Sequence, residues 1–307
     1  MVEDISMINY SFIIPHKNSP QLLNRCVNSI PRRDDVEIIV VDDNSDPNVV
    51  DWKSFKFDDT RCLTLIQDHS GKGAGNARNV GIDNAHGRWL LFADADDYYE
   101  KDALDKLDKY KDSDLDILYF NYRFIDEEGH DLQHPVKDNV TRYCKTQDRD
   151  ALDYVKYKNY TPWTKMVNAN FVHKYNCRYE CVPSGNDMFF SFQIAYFAKT
   201  IKVIDESIYV YILYKHSQTN RNWNKDKIFR SLIQHVRRNY FYKNVGLKRW
   251  DYNLYITIIK DILMHKNRKK SILKLWYLIR YSRQLDDSRD YYMRTIRNNE
   301  EKSKLQN

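Results

Sequence analysis

Three of the four apolar runs in the first hundred residues end in a polar cluster, and this pattern constrains the fold most. The runs are Tyr10–Pro15, Val36–Val41, Leu63–Gln67 and Trp89–Ala93. Segments between them have the composition and spacing of helices, the first of which opens at Pro20. Strands that alternate with helices predict an α/β fold with a mostly parallel sheet covered by helices on both faces.

The polar clusters follow the first, second and fourth of these runs. They are His16–Asn18, Asp42–Ser45 and Asp94–Asp97. In a parallel sheet the carboxyl ends of the strands lie at one edge, and ligands bind in the crevice outside that edge. We therefore expect the three clusters to converge in space although they are far apart in the chain.

The composition of the 307 residues fits a folded chain with one large domain or two of ordinary size, because 42% are hydrophobic. Met1–Asn9 lacks the pattern of a secretory signal, and no run of about 18 apolar residues occurs. The five cysteines are odd in number and irregularly spaced, as expected of reduced thiols. These features predict a cytoplasmic protein, either free or peripherally attached to a membrane.

Positive charge is concentrated at the C-terminal end. Residues 221–307 contain 22 Lys and Arg against 8 Asp and Glu, a net charge of +14, whereas residues 1–220 carry −8. A basic region of this kind indicates an anionic partner. Within it, 266–281 joins a basic cluster to an apolar stretch, which fits either contact with an anionic membrane or packing against the rest of the protein. Nucleic acid is not expected, since no recognition motif is present.

The acidic cluster Asp94–Asp97 has two interpretations. Carboxylates crowded so closely repel one another unless a cation lies among them, and Mg²⁺ or Mn²⁺ with oxygen ligands would serve. The alternative is a solvated acidic turn that caps the next helix. The segment Asp42–Ser45 also has two interpretations. A carboxylate there can accept hydrogen bonds from a ribose hydroxyl or a base, or the segment is simply an Asx-rich turn.

The glycine-bearing segment Gly71–Asn79 does not match either common phosphate-binding motif. It lacks the Walker spacing, and it follows the third predicted strand rather than the first, without the dinucleotide fingerprint. Lys72 and Arg78 have the charge to neutralise a diphosphate. The alternative is a flexible loop that leads into a helix.

Taken in order, four motifs resemble the family 2 glycosyltransferases with the GT-A fold. They read PHKN, VVDDNS, GKGAGNARNVG and FADADD. The resemblance is close over residues 10 to about 104 and looser at Pro162–Lys165, Gly185–Asp187 and Ser217–Thr219. It implies a nucleotide-diphospho-sugar transferase fold, a sheet flanked by helices, with a C-terminal helical extension.

The resemblance also implies a role for each matching residue. The nucleotide-sugar would contact Pro15, Asn18, Asp43, Lys72, Arg78, Asn79, Asp94, Ala95 and Asp96. Within this set, Asp43 would hold the uracil or ribose, and Arg78 with Asn79 would approach the base and diphosphate. Asp96 and Asp97 would bind Mn²⁺ or Mg²⁺. The pair His16-Lys17 departs from the family pattern, in which a small aromatic pair is usual.

The family's acidic pair, usually Glu-Asp, occurs here as Asn186-Asp187. The resemblance makes Asp187 the general base, with Trp163, Asn186 and His216 on the acceptor side. Each residue also has an ordinary structural interpretation. Asp187 has the position of a helix N-cap, burial alone explains Trp163, and a lone histidine near a strand end is often structural.

The predicted organisation is a catalytic domain over residues 1–220 and a basic helical region over residues 221–307. The donor half of the catalytic domain would cover about 1–110 and the acceptor half about 111–220. The predicted reaction is inverting transfer of a sugar from a UDP-sugar to a saccharide or lipid-linked acceptor in surface polysaccharide synthesis. One alternative is a protein that is non-catalytic or that binds nucleic acid or an anionic surface through the basic region. Another is a nucleotidyltransferase, which would need a glycine-rich loop after the first strand.

Overall fold

The computed structural model describes residues 7–183, 185–214, 225–250, 252–264 and 268–305. The chain forms two compact units, one of residues 1–215 and one of residues 216–307. The predicted boundary between catalytic domain and basic region, at residue 220, stays a prediction. His216 and Ser217–Thr219 lie outside the described residues.

The first unit is built on an eight-stranded mixed sheet. Its strands are β1 (Tyr10–His16), β2 (Val36–Asp43), β3 (Leu63–Asp68), β4 (Trp89–Phe92), β5 (Tyr98–Tyr99), β6 (Ile117–Asp126), β7 (Lys165–Asn168) and β8 (Ile201–Leu213). Their order across the sheet is β3-β2-β1-β4-β7-β6-β8-β5. β7 runs antiparallel to β4 and β6, and β5 runs antiparallel to β8, while the other pairs are parallel. The predicted mostly parallel sheet is confirmed.

Seven α-helices in the described part of the first unit connect and cover these strands. They are α1 (Pro20–Asn28), α2 (Ala74–Asp83), α3 (Ala103–Asp108), α4 (Pro135–Thr146), α5 (Arg149–Tyr157), α6 (Ala169–Lys174) and α7 (Asn186–Phe197). Every residue of β1 is buried, as a central strand with helices on both faces requires. Gly81 lets α2 approach β1, because a Cβ there would lie 2.3 Å from Ile13 Cγ2.

β8 differs from its prediction. The sequence predicts two short strands, Ile201–Ile204 and Ile208–Leu213, because polar residues separate the two apolar runs. The structure has one strand from Ile201 to Leu213, and its pairing with β6 shifts register at Asn121. An irregularity in the ladder thus accommodates the polar residues without ending the strand.

The second unit is helical over the residues that the structure describes. It contains α8 (Lys225–Asn244), α9 (Leu254–Leu263), α10 (Arg268–Arg280), α11 (Ser282–Ser288) and α12 (Tyr291–Leu305). Its own apolar cluster contains Ile228, Leu232, Ile258, Leu278 and Leu285. Within the described part of the chain, we find no helix with the length and apolar character to cross a bilayer.

Candidate functional site

The carboxyl ends of β1 and β2 are joined by side chains of the first two polar clusters. His16 Nδ1 lies 2.8 Å from Asp42 Oδ1, and His16 Nε2 accepts a hydrogen bond from the Ser19 backbone N–H. Because Nε2 is the acceptor, the neutral ring carries its hydrogen on Nδ1 and donates it to Asp42. Asp42 also accepts from the backbone N–H and hydroxyl of Ser45. His16 is buried, so it supports this edge from within rather than stacking on a base.

Asp43 links three segments at the same edge of the sheet through hydrogen bonds and an ion pair. Its Oδ1 accepts a hydrogen bond from the Gly73 backbone N–H at 2.9 Å, and its Oδ2 lies 3.3 Å from Lys17 Nζ. Lys17 Nζ also donates to the Asp43 backbone carbonyl at 2.8 Å. Asp43 is almost fully buried, whereas about half of the Lys17 side chain is exposed. Lys17 is therefore the solvent-facing member of this pair.

The other predicted nucleotide-site residues at these strand ends are placed as follows. Pro15 is buried within β1, and Lys72 is exposed in the loop before α2. Asn18 has a left-handed backbone conformation, with φ of 56°, and its side-chain oxygen accepts from the Asp46 backbone N–H. The structure thus brings Pro15, Asn18 and Asp43 to one edge, next to the loop that carries Lys72.

The acidic loop after β4 has three carboxylates, of which Asp96 faces solvent, Asp97 faces inward and Asp94 is one-third exposed. Asp96 is exposed, while partial desolvation and the neighbouring charge of Asp94 raise the pKa of its carboxyl to about 6. Asp97 is buried, accepting hydrogen bonds from the Ile212 backbone N–H and the Tyr209 hydroxyl. Burial raises the pKa of Asp97 well above its ordinary value.

Arg25 and Tyr214 position the backbone of this loop. Both side chains donate hydrogen bonds to the backbone carbonyl of Asp96, and Arg25 also donates to the Tyr214 hydroxyl at 2.9 Å. The Tyr209 hydroxyl accepts from the Asp94 backbone N–H at 2.9 Å. Ala95, buried between the two acids, completes the turn.

Arg78 connects the acidic loop to the start of α7. Its guanidinium forms an ion pair with Asp94 and donates to the side-chain oxygen of Asn186 at 2.8 Å. It lies over the Tyr179 ring, with 5.3 Å to the ring centroid. Only 6% of the Arg78 side chain is exposed. Arg78 therefore serves as a buried cationic link between two segments that are far apart in the sequence.

Asn79 is fully engaged with the chain itself. Its amide donates to the Tyr179 carbonyl at 3.0 Å and its oxygen accepts from the Tyr179 backbone N–H at 2.9 Å. These two bonds fix the extended segment before α7. The predicted contact between Asn79 and a diphosphate stays a prediction, and the position of its side chain favours an anchoring role.

Asp187 lies in the first turn of α7, where the helix dipole favours a negative charge. It is half-buried, and burial raises the pKa of its carboxyl while the charge of Arg78 opposes that shift. The helix begins after Gly185, which has a φ of 67°. Asp187 thus has a higher proton affinity than an ordinary carboxylate, which is the property that a general base acting near neutral pH needs.

Trp163 belongs to an aromatic stack rather than to an open surface. It is 3% exposed, and its ring stacks on Tyr209 with a centroid distance of 4.8 Å and on Tyr211 at 5.4 Å. Since Tyr209 also contacts the acidic loop, Trp163 reaches that loop through its neighbour. The sequence motifs gave no role to Tyr209 or Arg25, because neither lies in a motif. Lys17 lies in the PHKN motif, but its ion pair with Asp43 could not be predicted from the sequence.

Among the residues that the structure describes, no group of three or more His, Cys, Asp or Glu side chains is arranged to hold a metal ion. The donor set at the acidic loop is smaller. Asp96 is exposed, Asp94 is one-third exposed, and their mutual repulsion is the type that a cation relieves. Mg²⁺ usually takes one or two carboxylates together with substrate phosphates, so these two acids fit an ion that arrives with a diphosphate.

The fold and this strand-end site define an α/β protein of the GT-A class. The family model described as "Glycosyl transferase family 2" matches residues 11–175. The chain therefore belongs to glycosyl transferase family 2.

Similarity to individual proteins agrees with this membership. The chain is 24% identical to the putative glycosyltransferase EpsH of Bacillus subtilis, over 72% of this chain and 65% of EpsH. It is 25% identical to the Escherichia coli UDP-Glc:alpha-D-GlcNAc-diphosphoundecaprenol beta-1,3-glucosyltransferase WfgD, over 56% of this chain and 74% of WfgD. The crystal structure of S. aureus TarS 1-349 in complex with UDP-GlcNAc superposes with a TM-score of 0.57 at 18% identity, covering 94% of this chain and 92% of TarS 1-349. The GT-A fold prediction is confirmed. The chain spans less than two thirds of the length of EpsH and of other curated relatives.

Proposed function

We propose that the first unit transfers a sugar from a UDP-sugar to the hydroxyl of a saccharide or lipid-linked saccharide, with inversion at the anomeric carbon. One observation carries the proposal. Arg78 binds Asp94 of the donor-side loop and Asn186 beside Asp187, so the acidic loop and the proposed base meet around one buried cation. The relatives supply the substrate class, since WfgD is named for a UDP-Glc donor and a diphosphoundecaprenol-linked acceptor.

The proposed reaction is a single displacement. The acceptor oxygen forms a bond to the anomeric carbon as the bond from that carbon to the diphosphate oxygen breaks, and UDP leaves with the electron pair. Asp187 takes the proton of the acceptor hydroxyl. Its raised pKa makes it a stronger base than an ordinary carboxylate, and such transfer contributes about 10²–10⁴-fold in rate.

The donor would lie along the edge formed by β1, β2 and the acidic loop, with Lys72 near the diphosphate. Asp96, with Asp94 beside it, would hold Mn²⁺ or Mg²⁺, which supplies Lewis-acid stabilisation of the leaving diphosphate. The predicted role of Asp97 as a second metal ligand stays a prediction. Protein donors already bind both of its oxygens, which favours a role in positioning this loop from within. The proposed organisation keeps a catalytic domain over residues 1–220 and a basic helical region after it.

A donor panel tests the reaction. The full chain is incubated with UDP-sugars, Mn²⁺ and saccharide acceptors, and release of UDP is measured with and without EDTA. We expect release with one or two UDP-sugars, and a loss of at least about 100-fold in Asp187→Asn. Asp102→Asn is the matched control, since Asp102 is an exposed acid that forms an ion pair with Lys106, outside the proposed site. Acceptor-dependent release that is undiminished in Asp187→Asn would contradict the assignment of the base.

We also propose that the second unit binds an anionic membrane surface through α9 and α10. On α9, Ile259 and Leu263 are 44% and 71% exposed. On α10, Trp276 and Ile279 are 52% and 65% exposed. An open groove of about 800 Å³ lies along α10, lined by Lys269, Ile272, Leu273, Trp276, Tyr277 and Tyr281.

These features favour a lipid bilayer as the occupant. Apolar side chains at helical spacing can enter the headgroup boundary, and the net charge of +14 complements anionic lipids. Leu278, by contrast, packs within the unit, so α10 is not left wholly unpartnered. A membrane location would also bring the first unit to lipid-linked acceptors.

Vesicle sedimentation tests the membrane proposal. We expect binding to vesicles with phosphatidylglycerol and weaker binding to phosphatidylcholine alone. The double variant Trp276→Asp and Ile279→Asp should lose binding at least tenfold, whereas Val49→Asp, an exposed apolar site of the first unit, should not. Equal binding of the double variant, or a preference for duplex DNA over vesicles, would reject the membrane as the partner.

A further inference from the structure

Lys165, at the start of β7, is a buried lysine that the reaction above does not use. It is 1% exposed. Its Nζ donates hydrogen bonds to the backbone carbonyls of Asn159, at 3.0 Å, and of Thr161. Its ammonium also lies 5.8 Å from the centroid of the Tyr119 ring. An ammonium is rarely buried so fully without a functional or structural reason.

The turn that Lys165 holds is attached to the helix of the proposed base. Between the two carbonyls bound by Lys165 lies Tyr160, whose carbonyl accepts a hydrogen bond from the Ser191 hydroxyl at 3.1 Å. Ser191 is four residues after Asp187, so the two side chains lie on the same face of α7, one turn apart. The ammonium of Lys165 is thereby fixed near the face of α7 that carries Asp187.

We infer that Lys165 is a positioning residue for Asp187: it fixes the Asn159–Thr161 turn beneath α7 and supplies a buried positive charge that keeps the base ionised. This inference rests on the proposed function. A hydrogen-bonded ammonium under the helix opposes the loss of ionisation that burial imposes on the carboxylate. Lys165 touches neither substrate nor the reacting atoms in this role.

The electrostatics agree with this geometry. Burial lowers the pKa of Lys165 to about 7, and Asp187 is the group that opposes the shift. From the other elements packed around the base, Arg78 of α2 also favours the ionised carboxylate, while Asp94 of the acidic loop disfavours it. Lys165 is thus a second cation acting on Asp187 and, unlike Arg78, forms no ion pair with a carboxylate among the residues that the structure describes.

The first test is the pH profile of kcat/KM for UDP release in Lys165→Met and Lys165→Arg. Removing the positive charge in Lys165→Met should raise the pKa of Asp187, so we expect the acidic limb of its kcat/KM profile to move up by about one pH unit. At pH values below the limb, kcat/KM should then be about tenfold lower than in the wild type. Lys165→Arg keeps the charge and should keep the wild-type limb. Lys156→Met is the matched control, because Lys156 is a partly buried lysine on α5 that does not act on Asp187. A loss in Lys165→Met that is equal at every pH, with no movement of the limb, would overturn the inference.

The second test does not depend on activity. Thermal unfolding is measured for Lys165→Met, Asp187→Asn and the double variant at pH 6, where Lys165 is protonated. We expect Lys165→Met to lower Tm by about 2 °C more in the presence of Asp187 than in the Asp187→Asn background. Additive shifts would refute the pairing even in an active enzyme. Coupled shifts in a chain that releases no UDP from any donor would refute the proposed function and leave the pairing intact.

Discussion

The ion pair between Arg78 and Asp94 makes a quantitative prediction about stability, independent of catalysis. Arg78 is almost fully buried, whereas the Asp94 side chain is 33% exposed. Removing one partner of a buried pair costs about 3–5 kcal/mol when the remaining charge stays buried without a partner. Here the cost is discounted, because Asp94 is partly hydrated and because Asn186 and Asp187 still act on Arg78.

We therefore expect Asp94→Asn to lower the free energy of unfolding by about 2 kcal/mol, since it leaves a buried guanidinium with less compensating charge. Arg78→Met should cost less, about 1 kcal/mol, because the remaining carboxylate can hydrate. The double variant should cost less than the sum of the single variants, with a coupling of about 1–2 kcal/mol. Urea unfolding of the full chain in EDTA measures all three, and a bound metal then cannot contribute.

A second cycle on Asp102 and Lys106 provides the control. This pair is also close, with 2.7 Å between Lys106 Nζ and Asp102 Oδ1, but Asp102 is 58% exposed. We expect a coupling of at most about 0.5 kcal/mol there. If the cycle of Arg78 and Asp94 were additive, or no larger than this control, the buried cation would not link the acidic loop to α7. The observation that carries the proposed function would then fail.

Two further predictions concern the strand-end edge and the packing of α2. Gly75→Ala should destabilise the first unit by about 1–3 kcal/mol in urea unfolding, because its Cβ would lie 2.1 Å from the Glu180 carbonyl oxygen; wild-type stability would refute this close approach. Burial raises the pKa of Asp42, but hydrogen bonds from His16 and Ser45 outweigh it and lower the pKa to about 2. The resulting contribution to the free energy of unfolding is present above pH of about 4 and is lost as pH falls to 2. As the pH is lowered, the free energy of unfolding should therefore fall by about 2–3 kcal/mol less in Asp42→Asn than in the wild type. Equal decreases in the two proteins would contradict this prediction.

The sequence predicted the central parallel strands because β1, β2 and β4 are almost entirely buried. Val36–Val41 is apolar at five of its six positions, and such a run bounded by polar residues leaves little choice of conformation. β5 has two residues and β7 has four, so neither is long enough to show a periodic pattern. They are strands only because of tertiary pairing, β5 with β8 and β7 with β4 and β6.

The sequence predicted where the site lies in the fold, but it did not predict the direction in which each side chain faces. The motifs placed carboxylates at neighbouring strand ends, and the structure brings them there. The sequence cannot reveal which of Asp94, Asp96 and Asp97 faces outward, because the regular alternation of a strand ends with β4 at Phe92. Beyond that point, hydrogen bonds to distant residues such as Tyr209 and Arg25 decide the direction of each carboxylate.

Asn186 shows how one departure from the family pattern changes the balance of charge. The resemblance predicts an acid at this position, and the structure places the Asn186 side-chain oxygen on Arg78. A glutamate there would share the guanidinium with Asp94 and add a second negative charge beside Asp187. With a neutral amide, Arg78 is bound by one carboxylate and retains more influence on the base. Asn186 thus preserves the geometry of the link between the acidic loop and α7 while reducing the negative charge around Asp187, and it makes the buried charge of Lys165 a larger share of what keeps that base ionised.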